Sequence, residues 1–79
     1  MNEKLKDLSI GERAEIVGYD TSNRLYRERL LSMGLVKGTI VSLVKVAPLG
    51  DPVEVEVRGF NLSLRKDEAD VLVIRRVKL

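Results

Sequence analysis

Val53-Glu54-Val55-Glu56-Val57-Arg58-Gly59-Phe60-Asn61-Leu62-Ser63-Leu64-Arg65 has the alternation of a β-hairpin. Valine and charge alternate strictly up to Arg58, so the valines share one face of a strand and the charged residues share the other. Gly59-Phe60 reads as a tight turn of type II′ with Gly59 first. Asn61 to Arg65 then returns with Leu62 and Leu64 on the same inward face as the valines. Two strands sharing one apolar face need further elements to cover it.

The flanking sequence supplies them. Arg13–Tyr19 alternates as a first strand with Ala14 and Ile16 inward. Thr39–Val46 is rich in β-branched residues and is the strongest strand. Ala47-Pro48-Leu49-Gly50-Asp51-Pro52 ends it, because proline cannot donate to a ladder. Lys66–Asp70 reads as a short helical turn, and Val71–Arg76 as a last strand.

Between the first and second strands the pattern changes period. Asp20-Thr21-Ser22-Asn23 is dense in residues that cap a helix. A helix follows from about Asn23 to Met33, with Tyr26, Leu30 and Met33 on its buried face. Gly34 stands where a left-handed residue closes a helix. Leu35 would fold back on Leu30 in a Schellman ending. Gly38 then turns the chain into the second strand. The expected fold is mainly β: a small five-stranded antiparallel barrel with one α-helix between the first and second strands, in one domain over residues 1–79.

Composition excludes several function classes. The chain has 79 residues and a net charge of +2, with fourteen basic against twelve acidic residues. Such a balance lacks the concentrated basic surface that nucleic-acid affinity needs. No cysteine is present, which fits a reducing compartment, and no apolar run approaches the ~20 residues of a membrane span. The N-terminus lacks the apolar stretch of a signal peptide, so a cytoplasmic location is expected. With neither histidine nor cysteine, the hydroxyl side chains have no base to activate them and no thiolate is on offer. No catalytic role, cofactor or metal site is expected. The carboxylates Asp67, Glu68 and Asp70, with Asp51, read as a capped, solvated turn.

Three blocks in order carry a resemblance: Tyr26–Gly38, Lys45–Pro52, and Arg58–Arg65 followed by Glu68-Ala69. Together with Leu8-Ser9-Ile10-Gly11-Glu12 they resemble the ferrous iron transport protein A (FeoA) family over nearly the whole chain. Lys37 stands where that family often has proline. The resemblance implies an SH3-like barrel and an accessory role beside the membrane GTP-binding ferrous iron transporter, with the membrane reached through that partner. The same domain type forms the C-terminal module of metal-responsive repressors. Those carry a DNA-binding domain upstream, and only seven residues precede Leu8 here, so a stand-alone protein is expected.

Docking on a partner points to apolar residues at turns, where polar ones are usual. Leu49 and Phe60 are the first candidates, with Met33 and Leu35 flanking Gly34. Arg24, Arg27 and Arg29 on the helix could serve a GTPase partner, since an arginine given in trans stabilises transferring phosphate charge. Salt pairing on the helix surface is the plainer expectation for them. Arg75-Arg76-Val77-Lys78 reads as a basic tail that could meet anionic lipid, although solubility explains it as well. Two rivals are a nucleic-acid-binding small barrel and an SH3-type binder of proline-rich peptides. Both need clustered aromatics, and the chain has only Tyr19, Tyr26 and Phe60. The oligomeric state is left open.

Overall fold

A computed structural model describes residues 3–78. The strands are β1 (Arg13–Tyr19), β2 (Ile40–Val46), β3 (Val53–Val57), β4 (Phe60–Leu64) and β5 (Leu72–Val77). They form one antiparallel sheet in the order β4-β3-β2-β1-β5. The helix α1 (Arg24–Ser32) lies between β1 and β2 as the sequence implies, and a shorter helix α2 (Lys66–Val71) joins β4 to β5. A 3-10 turn at Leu5–Asp7 lies beside α2 and β5.

The strand alternation is realised residue by residue. Ala14 and Ile16, Val41 and Leu43, and Val53, Val55 and Val57 are all buried. Leu64 and Ile74 complete the inner face. Register shifts between Ile16 and Gly18, and between Leu43 and Lys45, mark bulges that bend β1 and β2 around this core.

The end of α1 follows the Schellman pattern. Gly34 has φ +86°. Its N–H donates to the Leu31 carbonyl at 3.0 Å, and the Leu35 N–H donates to the Leu30 carbonyl at 3.0 Å. At the other end the Asn23 side chain accepts from the Leu25 N–H at 3.0 Å. Leu30 is fully buried, and Tyr26 and Met33 pack partly buried against the core.

Two local expectations are corrected. The β3–β4 turn is Arg58-Gly59, one residue earlier than expected, because Val57 pairs with Phe60. Both turn residues have positive φ, +52° and +84°, which is the type I′ geometry that matches strand twist. Phe60 therefore opens β4. The basic C-terminal stretch is no free tail either. Arg75 to Val77 belong to β5, where Arg75 pairs with Glu15 at 2.6 Å and Arg76 with Glu3 at 3.1 Å. Lys78 lies beyond the strand.

Candidate functional site

The turn residues proposed for docking divide between two ends of the sheet. Leu49 sits in the β2–β3 connection and is 92% exposed, while Phe60 sits just past the β3–β4 turn and is 73% exposed. The whole of β3 lies between them, so they cannot form one patch. Leu35 is the clear correction. The Schellman ending drops it into the core at 0% exposure, where it cannot meet a partner. Met33, the C-cap residue just before Gly34, is half-buried against the core.

The Phe60 end is the richer surface. The C-terminus of α1 abuts the β3–β4 turn there, since a Cβ at Gly34 would lie 3.2 Å from Arg58 Nη1. A cleft of about 530 Å³ beside it is lined by Val36, Lys37, Gly38, Thr39, Ile40 and Arg58. Val36 and Ile40 are exposed, and Lys37 and Arg58 have no carboxylate within 4 Å among the described residues. The Thr39 hydroxyl, which is buried in the wall of this cleft, has no hydrogen-bond partner among the described residues. Apolar and cationic groups thus meet on one end of the molecule, and neither cation forms an ion pair among the described residues.

The helix arginines are mostly engaged. Arg24 Nε lies 3.5 Å from Glu28 Oε1, one helical turn on. Arg29 Nε lies 2.5 Å from Oε2 of Glu68, a buried carboxylate on α2. Arg27 forms no ion pair among the described residues and faces Tyr19, whose hydroxyl donates to the Leu35 carbonyl at 2.6 Å. Burial pushes the Tyr19 phenol above its ordinary value, and the nearby Arg27 charge partly offsets this.

Two of the acidic residues around α2, Glu68 and Asp51, act as caps. Glu68 Oε1 accepts from the Arg65 N–H at 2.9 Å, and Asp51 Oδ1 accepts from the Lys66 N–H at 3.1 Å. Asp51, distant in sequence, is thereby brought to the helix N-terminus. Among the described residues no group of three or more histidine, cysteine, aspartate or glutamate side chains is placed to hold a metal ion. Tyr19 and Tyr26 pack against the core, which leaves Phe60 as the one strongly exposed aromatic among the described residues. That is a poor platform for stacking bases.

Sequence reasoning missed Leu25, which is 74% exposed near the N-terminus of α1. Its signal was present: Leu25 falls outside the Tyr26, Leu30, Met33 stripe, so helical periodicity points it outward. Ile10, Val36 and Ile40 were missed for a different reason, since exposed apolar residues next to turns resemble core residues in a linear reading.

Comparison with known proteins adds independent findings. The family model described as the FeoA domain matches residues 3–76. A relative from Porphyromonas gingivalis, named as an Fe(2+) transport protein A/Fe(2+) transporter FeoB fusion protein, is 38% identical over 66 residues. The match takes in 84% of this chain but 8% of the fusion protein. An FeoA-like protein from Clostridium acetobutylicum has the same fold at TM-score 0.86 and 29% identity, covering 99% of this chain and 90% of that one. The FeoA of Stenotrophomonas maltophilia, solved with zinc and described as an SH3 domain protein, aligns at TM-score 0.78 and 29% identity, covering 92% of this chain and 89% of that one.

Proposed function

Since the chain belongs to the FeoA family, we propose that it is an accessory protein of ferrous iron uptake that docks on the cytosolic part of the membrane GTP-binding transporter. The observation that carries this is the fusion relative, whose name joins the two components in one polypeptide. A covalent link holds two modules at high effective concentration. When they are separate chains, a binding surface has to do the same work. No helix among the described residues is long and apolar enough to cross a membrane, so contact with a membrane transporter falls to surfaces such as those described above.

The Phe60 end is the proposed contact. Large exposed apolar side chains near cations suit the few dominant contacts that anchor an interface. Leu49 is a separate, second point of contact at the opposite end. Arg27, without an ion pair among the described residues, replaces Arg29 as the arginine offered to a partner. The role is binding, without catalysis by this chain.

The test is calorimetric titration of the chain against the transporter's cytosolic region, with circular dichroism of each variant. Phe60→Ser should remain folded, since its side chain is exposed, and should bind at least tenfold more weakly, a loss of about 1.4 kcal/mol per decade. Absence of binding by the parent chain would overturn the docking role. A folded Phe60→Ser that binds like the parent would overturn the contact face.

A further inference from the structure

We propose that the outer edge of β4 receives an extended segment of a partner protein by strand addition, the segment carrying acidic residues on both sides of an uncharged stretch. This gives the docking partner a form, and rests on the preceding reading only for that partner's identity.

The sheet order leaves two edges, β4 and β5, and they are treated differently. The β5 edge is occupied: Glu3 exchanges hydrogen bonds with Ile74 in both directions, at 3.0 and 2.8 Å. It also carries Arg75 and Arg76. The β4 edge, Phe60-Asn61-Leu62-Ser63-Leu64, holds no charge, no proline and no bulge. These are the devices by which edge strands avoid unwanted pairing.

The register says which groups are free. Val57 and Phe60 flank a two-residue turn and form a hydrogen-bonded pair, so Val55–Leu62 and Val53–Leu64 do likewise. Asn61 and Ser63 therefore direct their backbone N–H and C=O away from β3. Neither bonds to another element among the described residues. Phe60 and the half-buried Leu62 lie on the inner face, where apolar side chains of an added strand would cover them. A cavity of about 420 Å³ leaves room at the Leu64 end; it is lined by Arg29, Pro52, Ser63 and Arg65 and by two carboxylates that are already engaged, Glu68 with Arg29 and Asp51 with the Lys66 N–H.

Charge selects the occupant. Arg58, in the turn before β4, and Arg65, directly after it, bracket an edge whose five strand residues span about 17 Å at roughly 3.3 Å per residue. Neither guanidinium forms an ion pair within 4 Å among the described residues. Antiparallel pairing with a second copy about Leu62 would bring the Arg58 turn of each copy to the end of β4 in the other, where Arg65 and Lys66 lie, and gathering like charges at both ends disfavours it. Glu54 and Glu56, beside Ser63 and Asn61 on β3, keep acid out of the middle of the segment. An uncharged stretch with acidic ends satisfies all of these.

The experiment titrates the full chain with a capped peptide of alternating valine and threonine ended by glutamates, and with its lysine-ended twin, followed by amide NMR. The acid-ended peptide should slow hydrogen exchange at Asn61 and Ser63 and bind at least tenfold more tightly than its twin. Ser63→Pro removes only an outward N–H, an edge position proline tolerates, and should weaken binding at least tenfold. The double variant Arg58→Glu, Arg65→Glu should reverse the peptide preference, and it decides the matter if Ser63→Pro unfolds. Shifts located away from β4, an unchanged preference in the double variant, or self-association through β4 in sedimentation would each overturn the proposal. If Ser63→Pro loses the peptide but keeps the transporter's cytosolic region, the edge is not the docking site, and docking itself still stands.

Discussion

Replacing Gly34 tests the joint between helix, turn and core. Its φ of +86° lies where side chains are disfavoured, and its geometry both closes α1 and delivers Leu35 to the core. A left-handed residue costs roughly 1–2 kcal/mol once a Cβ is present. A β-branched side chain raises this toward about 3 kcal/mol. The neighbouring atom, Arg58 Nη1 at 3.2 Å from a built Cβ, is the end of a flexible side chain and can move aside cheaply. Backbone conformation should therefore dominate the penalty. Gly34→Val should cost about 1–3 kcal/mol, Gly34→Ala somewhat less, and Gly34→Asn least, since asparagine tolerates this region. For a domain of this size each kcal/mol lowers Tm by about 4–8 °C. Urea and thermal unfolding followed by circular dichroism measure it, in the parent and in an Arg58→Ala background. An unchanged Tm for Gly34→Val would refute the reasoning. So would disappearance of the penalty in the Arg58→Ala background, which would assign it to crowding.

Arg29→Ala leaves the buried Glu68 carboxylate without its cation. Because Arg29 itself is largely exposed, the cost should be about 1–2 kcal/mol, between the ranges for exposed and buried pairs. A urea midpoint equal to the parent's would show that the pair is immaterial. The raised Tyr19 pKa means that the neutral phenol favours the folded state; this contribution is complete below the ordinary tyrosine value of 10.0 and is lost as pH rises through the higher folded value. Tyr19→Phe should accordingly lose about 0.5–1.5 kcal/mol at neutral pH with its hydrogen bond, yet decline less steeply than the parent in urea melts above pH 10; parallel declines would contradict the shift. Anaerobic titration with ferrous iron or zinc should show only weak binding of the kind carboxylates give, and a stoichiometric sub-micromolar site would refute the expectation drawn from a chain without histidine or cysteine.

The strands, the helix and its two ends were legible in the sequence because their causes are local. Alternation over a few residues sets the inward valines, and a cap such as Asn23 or a C′ glycine such as Gly34 acts within one turn. The fold class followed from the order of these elements. The family resemblance rested on whole blocks of sequence. The β3–β4 turn was misplaced by one residue because a non-glycine residue at positive φ, Arg58, is not the expectation from local preference; the register of the whole hairpin imposes it. What lay beyond local rules was the spatial sorting of similar residues. Met33, Leu35, Leu49 and Phe60 look alike along the chain, yet the Schellman turn buries Leu35, and five residues of β3 separate Leu49 from Phe60. Arg29 finds Glu68, and Asp51 finds the start of α2, only because the folded sheet brings distant segments together. Burial and ion pairing depend on which surfaces meet, and no periodicity along one strand or helix encodes that.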